Sequence, residues 1–321
     1  MKRFLLFFTA AMLSLLQAAA ADFGIISVSV TDMKARAAYT SETVSQAMMG
    51  TPVEITGCDG VWCRAVTPDG YTGWFLKENI RFFSGNGFEE WKKADRAIVT
   101  SYFEIVRESA SENAPVVCDC IMGNIVTFHP DTSDVNGFRR IVLPSGETGF
   151  IRSASVCGLR TWLETRQARP SDITGTALLF TGFPYLWGGL SPKGMDCSGL
   201  NRLAYYMNGV ILPRDAKDQI LAGEKVDFRD PSCLQPADLI FFGRPDKEGN
   251  PESITHTGIY LGNGYFIHSY MHVRINRITP GYPDSFSRPA LVGACRILGE
   301  QDKGKGAVSV LHHPWYFQTY K

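Results

Sequence analysis

The sequence lacks an excess of charge of either sign and, beyond its N-terminal segment, any long hydrophobic run. Lys plus Arg and Asp plus Glu number 32 each, so no strong global field favours nucleic acid or an anionic membrane surface as a partner. The hydrophobic content of 45% is that of an ordinary globular protein, which argues against a disordered chain. A length of 321 residues allows two or three domains.

The N-terminus has the pattern of an export signal. Lys2 and Arg3 supply positive charge, residues 4–16 are almost wholly apolar, and the alanines at 18–21 offer an A-x-A cleavage site. The apolar stretch is shorter than the roughly 20 residues that a membrane span needs. We therefore predict that residues 1–21 are a signal peptide, that the mature protein is periplasmic or secreted, and that it has no membrane span.

The eight cysteines do not have the spacing of a small disulfide scaffold or of a zinc site, and no metal is predicted. Cys58 and Cys63 flank a predicted hairpin turn. They would lie diagonally across a two-residue Asp-Gly turn and directly opposite across a four-residue loop, so their pairing stays open. Cys118 and Cys120 share one face of a strand and are a poor mutual pair. Three others are expected to be small buried apolar residues: Cys157, Cys233 and Cys295.

Two segments of short alternating strands precede a region of different character. From about residue 23 to 83, apolar and polar residues alternate between Asp-Gly turns, which predicts a small antiparallel barrel. Residues 97–151 repeat a similar order of strands, with residues 145–149 corresponding to residues 69–73. The pattern indicates an internal duplication.

The last region is predicted to be α+β, with a helix packed on an antiparallel sheet. Residues 198–207 carry apolar residues at helical spacing, and Asp196 precedes them as a cap. Four segments are predicted strands: 238–242, 256–261, 265–268 and 290–297. The tail from about residue 300 has no clear assignment.

Cys197 and two histidines form the strongest chemical signal. A thiol at a helix start is exposed to free N–H groups and to the positive end of the helix dipole, which favour the thiolate. His256 and His268 are 12 residues apart on a predicted hairpin with a Gly-Asn-Gly turn between them. The set predicts a cysteine hydrolase in which Cys197 is the nucleophile, His256 the base and His268 the group that orients its ring.

These motifs resemble the NlpC/p60 peptidases, papain-like enzymes that cut bacterial cell-wall peptides. Four segments carry the resemblance: 187–189, 196–200, 254–262 and 266–269. It covers roughly residues 170–298, and the two preceding barrels resemble bacterial SH3-like domains. The predicted fold is thus α+β, a papain-like catalytic domain preceded by two small SH3-like β-barrels. The predicted domains are 1–21 signal peptide, 22–85 and 95–160 barrels, 168–300 peptidase and 301–321 tail.

The domain order resembles the γ-D-glutamyl-L-diamino acid endopeptidases of the dipeptidyl-peptidase VI type. The resemblance implies hydrolysis of the γ-D-Glu to diamino acid bond in muropeptides with a free N-terminal L-Ala. It implies that no cofactor is required and that the partners are peptidoglycan-derived peptides. We expect the chain to be monomeric. It assigns Asp215 to the substrate ammonium, Tyr185 to the site wall and the oxyanion, and further substrate contacts to Trp187, Ser198, Glu42 and Tyr71. Ala216 stands where relatives commonly carry serine, so one substrate hydrogen bond is expected to be missing.

Several alternatives stay open at this point. Asp215 also suits a plain helix cap, Trp187 suits core packing, and Glu42 and Tyr71 suit an ordinary barrel surface. An autolysin-type enzyme on intact wall is a second possible function, with the barrels as anchors. A non-catalytic wall-binding module is a third, and the intact Cys197, His256 and His268 set argues against it.

Overall fold

The computed structural model describes residues 22–131, 133–166, 168–249, 251–286 and 289–318. The predicted signal peptide, residues 1–21, lies outside these residues. Among the described residues, no helix combines the length and apolar character that crossing a bilayer requires.

The first barrel is a single antiparallel sheet of seven strands in the order β3-β2-β6-β5-β4-β1-β7. Its strands are β1 (Asp22–Ile26), β2 (Val30–Lys34), β3 (Thr43–Met48), β4 (Pro52–Asp59), β5 (Trp62–Val66), β6 (Thr72–Leu76) and β7 (Ile80–Phe82), with a 3-10 turn at Lys77–Asn79. Alternate residues such as Met33, Val53 and Phe75 are fully buried inside it, as the alternating sequence predicts. The chain bends at residues 28–29, between β1 and β2.

Cys58 and Cys63 form a disulfide, which resolves the alternative left open by the sequence. They are directly opposite each other in the β4–β5 hairpin, and Asp59 pairs with Trp62. The turn therefore consists of Gly60 and Val61 rather than of Asp59 and Gly60. This shift of one residue brings the two sulfurs together without a longer loop.

A short helix, α1 (Gly87–Lys93), leads into the second barrel and was not predicted. The strands of the second barrel are β8 (Arg96–Val99), β9 (Phe103–Arg107), β10 (Val116–Ile121), β11 (Ile125–Phe128), β12 (Asp134–Val135), β13 (Phe138–Val142), β14 (Thr148–Arg152) and β15 (Val156–Gly158), with a 3-10 turn at Ser153–Ser155. Their order is β10-β9-β14-β13-β11-β8-β15, with β12 added beside β13. This is the order of the first barrel strand for strand, so the predicted duplication is confirmed at the level of topology.

The C-terminal region consists of helices packed on a six-stranded antiparallel sheet. Two helices precede it, α2 (Leu159–Thr165) and α3 (Pro170–Leu178). Its elements are β16 (Leu190–Ser191), β17 (Gly194–Met195), α4 (Cys197–Tyr206), β18 (Val210–Ile211), α5 (Ala216–Gln219), β19 (Glu224–Lys225), β20 (Leu239–Pro245), β21 (Pro251–Gly262), β22 (Tyr265–Tyr270), β23 (His272–Arg277), β24 (Ala290–Arg296) and β25 (Val308–Ser309), with a 3-10 turn at Pro231–Cys233. The sheet order is β19-β24-β20-β21-β22-β23. Helix α4 packs on β21 and β22, which confirms the predicted helix-on-sheet arrangement.

The C-terminal tail is part of the folded core. Strand β25 pairs with β18, and Tyr316 and Phe317 are buried in the same hydrophobic cluster as the helices. The buried Arg96 of the second barrel donates to the Tyr316 carbonyl, and His313 contacts the Pro68 carbonyl of the first barrel. The tail therefore ties both barrels to the peptidase region.

The free cysteines are less uniformly buried than predicted. Cys295 is fully buried and Cys157 is half-buried, but Cys233 is exposed. Cys233 ends a 3-10 turn on the surface, so its prediction as a buried residue is wrong.

Candidate active site

Cys197 is the first residue of the buried helix α4. Asp196 caps the helix, since its Oδ1 accepts from the backbone N–H of Gly199 at 2.7 Å. The backbone N–H groups of Thr257 and Ser198 donate to the Cys197 sulfur and lower the pKa of its thiol. The sulfur therefore lies beside β21, at the peptide that directly follows His256.

The two histidines lie on neighbouring strands and contact each other. Strands β21 and β22 form a hairpin in which Gly262 pairs with Tyr265. Asn263 and Gly264 both have positive φ, as a two-residue type I′ turn requires. Across this hairpin, His256 Nε2 lies 2.6 Å from His268 Nδ1. The structure thus joins the two histidines that the sequence paired.

Both imidazoles are buried among aromatic rings. The ring of His256 packs against Phe242, Phe286 and Tyr270, and only 7% of the residue is exposed. Burial, with a smaller contribution from the neighbouring His268, lowers the pKa of His256 to about 3. Burial also lowers the pKa of His268 to about 4. Both rings are therefore neutral at neutral pH, which is the protonation state that a general base needs.

The resting sulfur is not ionised, contrary to the sequence-based expectation. Burial, followed by the negative charge of Asp196, raises the pKa of the Cys197 thiol to about 12. The two N–H donors and Arg214 act in the opposite direction but do not outweigh burial. The sequence shows the helix start that favours a thiolate, but it does not show how deeply the sulfur is buried.

These pKa values predict a steep pH dependence for alkylation of Cys197 by iodoacetamide. Only the thiolate reacts, so the rate should rise about tenfold per pH unit from pH 6 to pH 9. A preformed thiolate–imidazolium pair would instead give a rate that is nearly flat over this range. Mass spectrometry of the Cys197 peptide measures the rate, and the exposed Cys233 serves as an internal comparison. A flat profile would contradict the neutral resting pair.

Cys197 opens into a pocket of about 570 Å³ that contains most of the predicted substrate residues. Its lining comprises Glu42, Val44, Tyr71, Trp187, Asp196, Cys197, Ser198, Arg214, Asp215, Ala216, Lys217, Ile254 and Thr255. The first barrel contributes three of these residues, so the pocket lies between that barrel and the peptidase region. Tyr185 is not part of this lining, although the pKa of its hydroxyl is raised to about 12 by burial and by the nearby Cys197.

Asp215 occupies the N-cap position of α5, but its side chain accepts no capping hydrogen bond. Instead it interacts with the hydroxyl of Tyr71, and Lys217 Nζ lies 3.9 Å from its Oδ2. Burial raises the pKa of the Asp215 carboxyl. The plain-cap alternative is thereby weakened, because the carboxylate contacts Tyr71 of the first barrel and caps no backbone N–H of α5.

Trp187 and Glu42 form a bridge across the mouth of the pocket. Trp187 Nε1 donates to Glu42 Oε1 at 2.9 Å, although both residues are exposed. Trp187 is 62% exposed, so the core-packing alternative for this residue is wrong. The contact links the Gly-rich approach to Cys197 with the first barrel.

Arg214 and Asp196 form a buried ion pair in the pocket lining that no sequence motif predicts. Both Nη atoms of Arg214 donate to the Asp196 carboxylate, at 2.5 and 3.3 Å, and Nη1 also donates to Ser198 Oγ. Nε donates to Ser45 of the first barrel. Arg214 therefore fixes the helix cap, the hydroxyl of Ser198 and the barrel together. A buried arginine has no signal in a single sequence, so the sequence does not predict these contacts of Arg214.

Comparison with known proteins places this geometry in a family. The NlpC/P60 family model matches residues 182–290, and the bacterial SH3 domain model matches residues 29–81. Residues 182–290 therefore form an NlpC/P60 domain, and the chain is a cysteine peptidase. Residues 29–81 match a bacterial SH3 domain, and the second barrel repeats the strand order of the first.

Relatives match over most of this chain. A γ-D-glutamyl-L-lysine dipeptidyl-peptidase of Bacillus cereus is 28% identical over 266 residues, which are 79% of this chain and 75% of the relative. Dipeptidyl-peptidase 6 of Lysinibacillus sphaericus is 27% identical, covering 76% of this chain and 87% of the relative. A crystal structure of an NlpC/P60 family protein from Bacillus cereus superposes with a TM-score of 0.70 at 23% identity, covering 86% of this chain and 99% of the other. The last comparison supports the fold.

Proposed function

We propose that the protein hydrolyses the bond between γ-D-Glu and an L-diamino acid in muropeptides that carry a free N-terminal L-Ala. One observation carries the proposal: the pocket of Cys197 contains a half-buried carboxylate, Asp215, whose side chain accepts no capping hydrogen bond from its own helix. The name of the Bacillus cereus relative, a γ-D-glutamyl-L-lysine dipeptidyl-peptidase, supports the same substrate class.

The Asp215 carboxylate suits a substrate ammonium. Partial burial disfavours the charged form of this carboxylate, and a cation that enters the pocket would offset that cost. Tyr71 contacts the same carboxyl from the first barrel, and the bridge between Glu42 and Trp187 limits the pocket beyond it. A peptide whose N-terminal amine is acylated brings no positive charge to Asp215. Its acyl group also adds bulk beside the bridge between Glu42 and Trp187.

The proposed reaction begins with proton transfer from Cys197 to His256. Either charge alone is disfavoured by burial, as the pKa values show, but transfer creates both charges together, and their attraction offsets part of the cost. The thiolate attacks the γ-D-Glu carbonyl, and backbone N–H groups at the start of α4 stabilise the oxyanion, with Tyr185 as a further donor.

Collapse of the tetrahedral intermediate breaks the amide bond, and the His256 imidazolium gives its proton to the departing amine. The L-Ala-γ-D-Glu unit stays on the sulfur as a thioester. Water then attacks the thioester, His256 accepts its proton, and the dipeptide acid leaves with the thiol restored. His268 holds the ring of His256 through the contact at 2.6 Å.

A pocket limited by the first barrel suits peptides already released from the glycan. In intact wall the L-Ala amine is acylated, so it carries no ammonium for Asp215. We therefore propose a role in recycling or scavenging of stem peptides, by a protein exported through the predicted signal at 1–21. Hydrolysis of L-Ala-γ-D-Glu-L-Lys, compared with its N-acetylated form, tests this proposal. Equal hydrolysis of the two peptides would reject it.

A further inference from the structure

Beyond the two histidines, a third buried side chain continues their hydrogen-bond chain. Asn276 lies on β23 beside β22 and is 5% exposed. Its Oδ1 is 2.9 Å from His268 Nε2, and its Nδ2 donates to the Asp284 carbonyl at 2.7 Å. An isolated asparagine on a strand carries no motif, so the sequence does not predict the contact between Asn276 and His268.

The Asp284 carbonyl decides which way the Asn276 amide points. A backbone carbonyl can only accept, so the amide nitrogen must be the atom that faces it. The amide oxygen is then left facing His268, and this oxygen can only accept. His268 Nε2 must therefore carry a proton and donate it to Asn276.

The same reasoning passes through His268 to His256. A neutral imidazole carries one ring proton, so His268 Nδ1 is unprotonated and accepts. The atom 2.6 Å away, His256 Nε2, must then be the donor of that bond. His256 Nδ1 is left with a free lone pair. Each donor and acceptor in this series of hydrogen bonds follows from the one before it, starting at the Asp284 carbonyl oxygen.

We propose that Asn276 is a positioning residue that fixes the tautomers of both histidines and so makes Nδ1 of His256 the atom that accepts the Cys197 proton. Its consequence for the rate rests on the proposed function, whereas the tautomers themselves do not. Without Asn276, His268 can hold its proton on Nδ1 and donate to His256 Nε2. The proton of His256 would then sit on Nδ1, and the ring could not act as the base through that atom.

The direct test is nitrogen-15 NMR of the full mature protein with ring-labelled histidine, since long-range proton–nitrogen couplings distinguish the two tautomers. We expect both His256 and His268 in the Nε2–H form near pH 7. Signals are assigned by their loss in His256→Gln and His268→Gln. An Nδ1–H tautomer at either histidine of the unsubstituted protein would overturn the proposal, and this outcome does not depend on any variant folding.

The variant test uses Asn276→Ala. The tautomer signals of His268 and His256 should become mixed, and kcat on L-Ala-γ-D-Glu-L-Lys should fall about 10- to 100-fold with KM nearly unchanged, as is typical when a side chain that orients a functional group is removed. Asn113→Ala, at an exposed position of the second barrel, is the matched control and should change neither. Unchanged tautomers in a folded Asn276→Ala protein would contradict the proposal. Fixed tautomers without any hydrolysis by the unsubstituted protein would instead reject the proposed function alone.

Discussion

Replacing Cys197 by alanine is expected to lower kcat on L-Ala-γ-D-Glu-L-Lys by at least about 10⁴-fold, which is the scale of removing a nucleophile from a catalytic unit. In the proposed mechanism the sulfur forms the thioester, and no other thiol lines this pocket among the described residues. Binding should persist, because Asp215 and Tyr71 are untouched. Stopped assays measure kcat, and calorimetry with the uncut peptide measures Kd.

Cys233→Ala provides the control, since Cys233 is exposed on a surface turn and outside the pocket. This variant should retain full activity. Hydrolysis by Cys197→Ala within tenfold of the unsubstituted rate would show that another group is the nucleophile. A loss of both binding and circular-dichroism signal would report unfolding, and Cys197→Ser would then serve as the less disruptive substitution.

The second large effect is expected at Asp215. Acetylation of the substrate amine should lower kcat/KM about 10³-fold, because it removes one partner of a desolvated charge pair and leaves the other unpaired. Asp215→Asn should lower kcat/KM on the free peptide by a similar factor. The two changes should not add: with both made, the loss should be close to that of either alone, since they remove the same interaction.

Asp218→Asn is the matched control for the comparison of Asp215→Asn with substrate acetylation, because Asp218 lies on the same short helix but is exposed. It should leave both peptides unaffected. Burial raises the pKa of Asp215, so kcat/KM should fall with decreasing pH at a higher pH than an ordinary aspartate would give. Asp215→Asn should remove that acid limb. Full additivity of the two losses would place the ammonium elsewhere.

Local features of this site were predictable because local rules determine them. An acceptor side chain before an apolar run marks a helix start, and the structure begins α4 at Cys197. A Gly-Asn-Gly turn between two short apolar runs marks a hairpin, and the hairpin brings His256 and His268 together. The repeated alternation of apolar and polar residues likewise predicts the second barrel, whose strand order matches that of the first.

Features that depend on long-range packing were not predictable in the same way. Arg214 contacts residues 16 and 169 positions away in sequence, and Asn276 contacts both the Asp284 carbonyl and the His268 ring. The pKa of the Cys197 thiol differs from the sequence-based expectation, because it depends on burial as well as on the helix start. Burial depth emerges only when the domains are assembled.

The measurement that tests the central claim most directly is identification by mass spectrometry of the products released from L-Ala-γ-D-Glu-L-Lys, with purified sacculi as a parallel substrate. The account predicts L-Ala-γ-D-Glu and free lysine from the tripeptide, and negligible release from sacculi. Cleavage between L-Ala and D-Glu, or release from sacculi without hydrolysis of the tripeptide, would contradict it.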